Sequence, residues 1–147
     1  MFSSQLSRKV PTLNINDPAT WNVIIIDDEP DSVGVVEYVC RFHNASVRTA
    51  NAGQVGLDLI RQEKPNIVFL DIQMPKMSGW DVIQQIRADS SLADVVAIAI
   101  TAHAMSGDKE RTLEAGFNGY LAKPISPLTF VSDVKAILEA RAQPVLE

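Results

Sequence analysis

Three apolar runs, Val-Ile-Ile-Ile at 23–26, Ile-Val-Phe-Leu at 67–70 and Val-Val-Ala-Ile-Ala-Ile at 95–100, carry no polar alternation. A strand with one wet face reads apolar, polar, apolar; an unbroken apolar strand is covered on both faces, the usual state of a parallel sheet between two helical layers. From Trp21 onward each such run is followed by a stretch with helical spacing. The pairs are 23–26 with 33–42, Val47 with 55–60, 67–70 with 80–86, 95–100 with 102–115, and 120–121 with 128–138. Val55/Leu59, Val82/Ile86 and Val131/Leu138 each put apolar side chains on one helix face. Five strand-then-helix pairs predict an α/β fold, a three-layer, doubly wound, five-stranded parallel sheet.

Local punctuation sets the boundaries. Asn51 is placed to cap the second helix and Pro65 to close it; Ser78 caps the third, and Ser126-Pro127 opens the last. Residues 1–20 hold Pro11 and Pro18 with several Ser and Asn and no sustained period, so they read as a flexible or loosely docked arm. The expected organisation is an arm over 1–20, one domain over 21–141 and a short tail over 142–147.

A chain of 147 residues with 46% hydrophobic content has enough apolar surface for one well-formed core, which argues against disorder. Its 13 basic against 18 acidic residues give no electrostatic footprint for a polyphosphate backbone, so direct nucleic-acid binding is not expected. Cys40, alone and among valines, reads as a small buried hydrophobe. No apolar run is long enough to cross a bilayer, and the first ten residues lack the apolar centre of a signal peptide. The expectation is a cytoplasmic protein without membrane insertion.

In an open parallel sheet, ligands bind beyond the carboxyl ends of the strands, where loops diverge and helix N-termini converge. Asp27, Asp28 and Glu29 follow the first strand, Asp71 the third, Thr101 the fourth and Lys123 the fifth. Singly these are ordinary residues: caps, solvated loop acids, a β-former, an exposed lysine. Together they bring carboxylates, a hydroxyl and an ammonium to one rim. Carboxylates this close repel by a few kcal/mol per pair at an effective dielectric of about 20, so the rim calls for a cation. Hard oxygen donors favour Mg²⁺, with Mn²⁺ able to replace it. Metal, ammonium and hydroxyl suit a phosphoryl group, with one carboxylate acting as nucleophile.

The order Asp27-Asp28, Asp71 within LDIQMPKMSG, Thr101-Ala102 and Lys123-Pro124 resembles the receiver domain of two-component response regulators, from Asn22 to about Ala140. The resemblance implies a flavodoxin-like (βα)5 fold with strand order 2-1-3-4-5. It implies Asp71 as phosphoacceptor and Asp28 as a direct Mg²⁺ ligand. Asp27 would act largely through metal-bound water, and the backbone carbonyl of Gln73 would be a further ligand. Thr101 and Lys123 match the phosphoryl-sensing side chains, Tyr120 the aromatic switch, and Lys123-Pro124 the family's cis peptide. Gln73 and His103 match positions that line the path of hydrolytic water and tune phosphoryl lifetime; for His103 an exposed imidazole in a first helical turn is the competing reading.

The function so implied is a single-domain response regulator. Asp71 accepts a phosphoryl group from a sensor histidine kinase or a histidine phosphotransfer protein in a Mg²⁺-dependent reaction. A face made by the fourth helix, fifth strand and fifth helix then changes its contacts with a downstream protein effector. Such a protein catalyses its own modification and autodephosphorylation but is not an enzyme in the turnover sense. Relay intermediate and terminal effector stay open, as does a homodimer through the arm or the switch face. The alternative is a metal-dependent phosphatase or phosphotransferase forming an aspartyl phosphate. Hydrolases of that kind resembling the haloacid dehalogenase group usually carry a second Asp two residues after the nucleophile as general acid, and here that position is Gln73, which cannot supply a proton. A phosphate-blind scaffold is disfavoured by the complete acidic, Thr and Lys set.

Overall fold

The computed structural model describes residues 10–102 and 108–142. The five strands are β1 (Asn22–Ile26), β2 (Ser46–Ala50), β3 (Ile67–Asp71), β4 (Val96–Thr101) and β5 (Gly119–Ala122). They form one parallel sheet in the order β2-β1-β3-β4-β5. The helices are α1 (Pro30–Phe42), α2 (Gly53–Glu63), α3 (Gly79–Ala88), α4 (Asp108–Ala115) and α5 (Phe130–Ala142).

Residue parity along the strands sorts the core into two layers. Val23, Ile25, Phe69, Ile98 and Ile100 face Val36, Val39 and Cys40 of α1 and Phe130, Val134 and Leu138 of α5. Their neighbours Ile24, Ile26, Val68, Leu70, Ala97 and Ala99 face the other way, onto Leu57 and Ile60 of α2 and Val82, Ile83 and Ile86 of α3. Every residue of β3 and β4 is buried, as unbroken apolar runs require, whereas β2 at the sheet edge exposes Ser46, Arg48 and Thr49. Cys40 is buried, and burial pushes its thiol up to about 12, so it is inert packing.

Some local expectations fail for identifiable reasons. Of the expected pair, Val55 is 53% exposed while Leu59 is partly buried against the core, and the fully buried face of α2 is Gly53, Gly56, Leu57 and Ile60. Gly56 is part of that face because it packs directly on Ile26, where a Cβ would lie 2.4 Å from Cδ1. Asn51 does not cap α2: the cap is Ala52, with no side-chain bond. Ser126-Pro127 leads into a turn rather than the helix itself; Phe130 N–H donates to the Ser126 carbonyl at 3.0 Å, regular α5 begins at Phe130, and Leu128 is 94% exposed. Ser78 does cap α3, within a reciprocal capping box with Asp81.

Of the arm expected over 1–20, residues 10–20 are described, and they lie against the domain. Leu13 and Ile15 pack on the α1/α5 layer and Val10 on the α2/α3 layer. Buried Asn66 donates to the Pro11 and Thr20 carbonyls and accepts from Asn22 N–H at 2.7 Å, and Trp21 Nε1 donates to the Asn14 carbonyl at 3.0 Å. No helix among the described residues is long and apolar enough to cross a membrane.

Candidate functional site

Strand register builds the site. Ile26 stands opposite Leu70, Asp71 opposite Ile100, and Thr101 opposite Ala122. Asp27, Asp71, Thr101 and Lys123 therefore leave the C-terminal edge of four strands at nearly the same level. The β1/β3 junction, where chain direction around the sheet reverses, is the crevice such folds use for ligands.

Lys123 occupies the centre of this rim. Its Nζ is 3.1 Å from Asp27 Oδ2, 3.4 Å from Asp27 Oδ1 and 3.5 Å from Asp71 Oδ2, and it donates to Glu29 Oε1. Asp27 Oδ1 also accepts from Glu29 N–H at 2.9 Å, and Asp71 Oδ1 from Gln73 N–H at 3.2 Å. Lys123 N–H donates to the Thr101 carbonyl at 2.8 Å, tying the two strand ends together. The Lys123–Pro124 peptide is cis.

Carboxylate oxygens of Asp27, Asp28 and Asp71 lie within 4.8 Å of one another, with Asp27 and Asp71 buried and Asp28 exposed. Burial first, and then the charge of Asp27, push the Asp71 carboxyl up to about 7 despite the opposing pull of Lys123. Burial alone would lower the Lys123 ammonium; hydrogen bonds to Glu29 and Asp27 and the charges of Asp27 and Asp71 outweigh it and hold the group above the usual lysine range.

One lysine thus meets three carboxylates, with Asp28 a fourth acid at the same rim, and the buried Asp27 Oδ2 makes no hydrogen bond beyond its ion pair with the Lys123 ammonium at 3.1 Å. An all-oxygen donor set with excess negative charge and one solvent-facing carboxylate fits a hard divalent cation better than a thiolate- or imidazole-seeking metal. The acidic cluster can hold such an ion.

The loop after Asp71 is held close under the site. Gly79 N–H donates to the Ile72 carbonyl at 2.8 Å, and a Cβ at Gly79 would lie 2.6 Å from the Asp71 carbonyl oxygen, so only glycine fits. The Gln73 side chain is exposed. Thr101 is buried, and with Gln73, Ser78, Trp80 and Arg111 it lines a cavity of about 410 Å³. Tyr120, opposite Ala99, is half-buried against the α2/α3 layer. His103, and with it residues 103–107 of the expected fourth-helix face, lies outside the described residues.

A family model for the response regulator receiver domain matches residues 23–135. The chain belongs to this family. The polar-differentiation response regulator DivK of Brucella ovis is 32% identical over 119 residues, covering 81% of this chain and 97% of that protein. DivK of Brucella anthropi is 40% identical over 93 residues, 63% of this chain and 75% of its own length. Among solved structures, a putative response regulator from Chloroflexus aurantiacus superimposes with TM-score 0.75 at 29% identity, covering 81% of this chain and 98% of that one. A Vibrio cholerae chemotaxis response regulator at 21% identity, TM-score 0.75, covers 80% and 98% and shares the fold. The receiver domain is a signalling module rather than a classical turnover enzyme.

Two features of this receiver were not read from the sequence. Glu29 is one of the rim acids, but its pairing with Lys123 joins positions 94 residues apart. The second is a stack beside the site: the Arg111 guanidinium lies 4.3 Å from the Trp80 ring centroid, and Trp80 meets Phe117 edge-on, linking α3 to α4. Its only sequence signal was a tryptophan two residues past the Ser78 cap.

Proposed function

We propose that this receiver domain accepts a phosphoryl group on Asp71 from a histidine donor in a Mg²⁺-dependent reaction and thereby switches a protein-binding face. The observation that carries this reading is the convergence of Asp27, Asp28 and Asp71 within 4.8 Å, with Lys123 bridging Asp27 and Asp71. Asp27, Asp28, Asp71 and the Gln73 backbone carbonyl would hold the metal. When bound, Mg²⁺ neutralises the crowded carboxylates and draws in phosphoryl oxygens. With the Asp71 carboxyl at about 7 in the metal-free site, the nucleophile is only partly ionised near neutrality, which gives the cation requirement a physical cause.

In the transfer step an Asp71 carboxylate oxygen attacks phosphorus while the phosphorus–nitrogen bond of the phosphohistidine breaks. The imidazole nitrogen keeps the electron pair, and an acyl phosphate remains on Asp71. Lys123 supplies a fixed positive charge to the phosphoryl oxygens and the Thr101 hydroxyl donates to one of them. Thr101 and Tyr120 then bias the equilibrium of the α4–β5–α5 face, where Leu113, Tyr120, Leu121 and Ile137 line a groove of about 740 Å³. Kinase, phosphotransfer protein and effector are the partner classes, and a cytoplasmic setting follows from that chemistry. Gln73 and His103 tune the lifetime of the acyl phosphate.

Backbone NMR with beryllofluoride, an aspartyl-phosphate mimic, tests both halves. Mg²⁺-dependent shifts are expected first around Asp71, Thr101 and Lys123 and then across α4, β5 and α5, all absent in Asp71→Asn. Shifts that ignore Asp71→Asn, or that spare the α4–β5–α5 face, would overturn it.

A further inference from the structure

The ammonium of Lys123 has three N–H donors and three carboxylates around it, Glu29, Asp27 and Asp71, with Asp71 the most distant at 3.5 Å. We propose, building on the phosphoacceptor reading of Asp71, that Glu29 is a positioning residue that holds Lys123 as its counter-ion in the unmodified protein and releases it to the phosphoryl group when Asp71 is modified. An acyl phosphate on Asp71 replaces one carboxylate charge by about two on the phosphoryl group and offers three acceptor oxygens. Modification consumes the Asp71 carboxylate and frees the N–H that faced it; for Lys123 to give the phosphoryl oxygens more than that one donor, Asp27 or Glu29 must give way.

The surroundings of each carboxylate decide which. The Asp27 side chain is 1% exposed and its other oxygen accepts from Glu29 N–H, so losing Lys123 would strand a buried charge. The Glu29 side chain is 60% exposed, and its carboxylate returns to water at little cost. The helix does not need it either: Glu29 is the N-cap of α1, yet its side chain makes no capping bond. The Glu29–Lys123 pair therefore stabilises the unmodified state alone and sets a threshold that a phosphoryl group must exceed.

Two variants separate this contact from a general effect of charge. Glu29→Ala removes contact and charge. Glu29→Asp keeps the charge but is one methylene too short for the bond. At saturating Mg²⁺, beryllofluoride should bind both about two- to five-fold more tightly than wild type, the range of a partly exposed ion pair. In the wild type, the Glu29 Cδ resonance should move to the value of a solvated glutamate as beryllofluoride binds. The inference is overturned if Glu29→Asp binds like wild type while Glu29→Ala differs, if neither variant differs, or if the Cδ resonance does not move. The phosphoacceptor reading has its own control: it fails if wild type takes up no beryllofluoride or Asp71→Asn takes it up equally, and it stands if only Asp71→Asn loses binding, whatever Glu29 does.

Discussion

Replacing Asp71 by Asn should stabilise the metal-free protein above neutral pH and leave it unchanged in acid. The Asp71 carboxyl is raised from 3.8 to about 7 by burial and by Asp27, so the folded state holds a proton that the unfolded chain releases. Between those values the folded state binds more protons, and stability falls as pH rises; above about 7 the penalty is fully present, and below about 4 it is gone. The gap corresponds to at most about 4 kcal/mol. Water at the open rim, where Asp28 is exposed, screens part of it, and about 1–2 kcal/mol is the expected gain. Asn keeps an oxygen for the Gln73 N–H and has no charge to set against Asp27. Urea unfolding in EDTA should show Asp71→Asn with a midpoint about 1 M higher at pH 8 and no difference at pH 4. Under the proposed metal role of the acidic cluster, saturating Mg²⁺ should erase or reverse the ranking. An Asn variant less stable at pH 8 in EDTA, or an offset identical at both pH values, would refute the electrostatic account of the site.

Lys123→Ala should cost roughly 2–3 kcal/mol in EDTA, because it strands the buried Asp27 charge, and Mg²⁺ should restore much of that in a denaturant titration. A loss unaffected by Mg²⁺ would make Lys123 a packing residue. Trp80, stacked beneath Arg111 at the cavity wall, should carry any fluorescence change on beryllofluoride binding, whereas Trp21 is buried at the opposite end of β1. Trp80→Phe should abolish that change while leaving binding intact, and a signal that survives the substitution contradicts the placement.

The sheet was legible because burial on both faces leaves a mark that no other strand environment leaves: β3 and β4 are apolar throughout. β2 was marked only by Val47, since an edge strand with pattern exposed-buried-exposed-exposed-buried carries little signal. The α2 face is legible only in part, Leu59 but not Val55 packing on the core, because periodicity counts apolar side chains, and Gly56, whose missing side chain admits Ile26, counts as none. Leu128 looked like the start of a helix because its residue type is apolar, but it sits in a turn outside any layer. The rim acids, Thr101 and Lys123 could be placed together because every strand end of a parallel sheet points the same way. Which of them touch depends on side-chain reach and register: Lys123 bonds Glu29 and Asp27 more closely than Asp71, and no spacing within the sequence encodes that preference.

The intact mass of the protein after exposure to a small phosphodonor with Mg²⁺ tests the central claim most directly. Wild type should gain a single phosphoryl group that is lost on standing, with no gain in EDTA and none in Asp71→Asn. An equal gain in Asp71→Asn, or none in wild type with any donor, would contradict Asp71 as the phosphoacceptor.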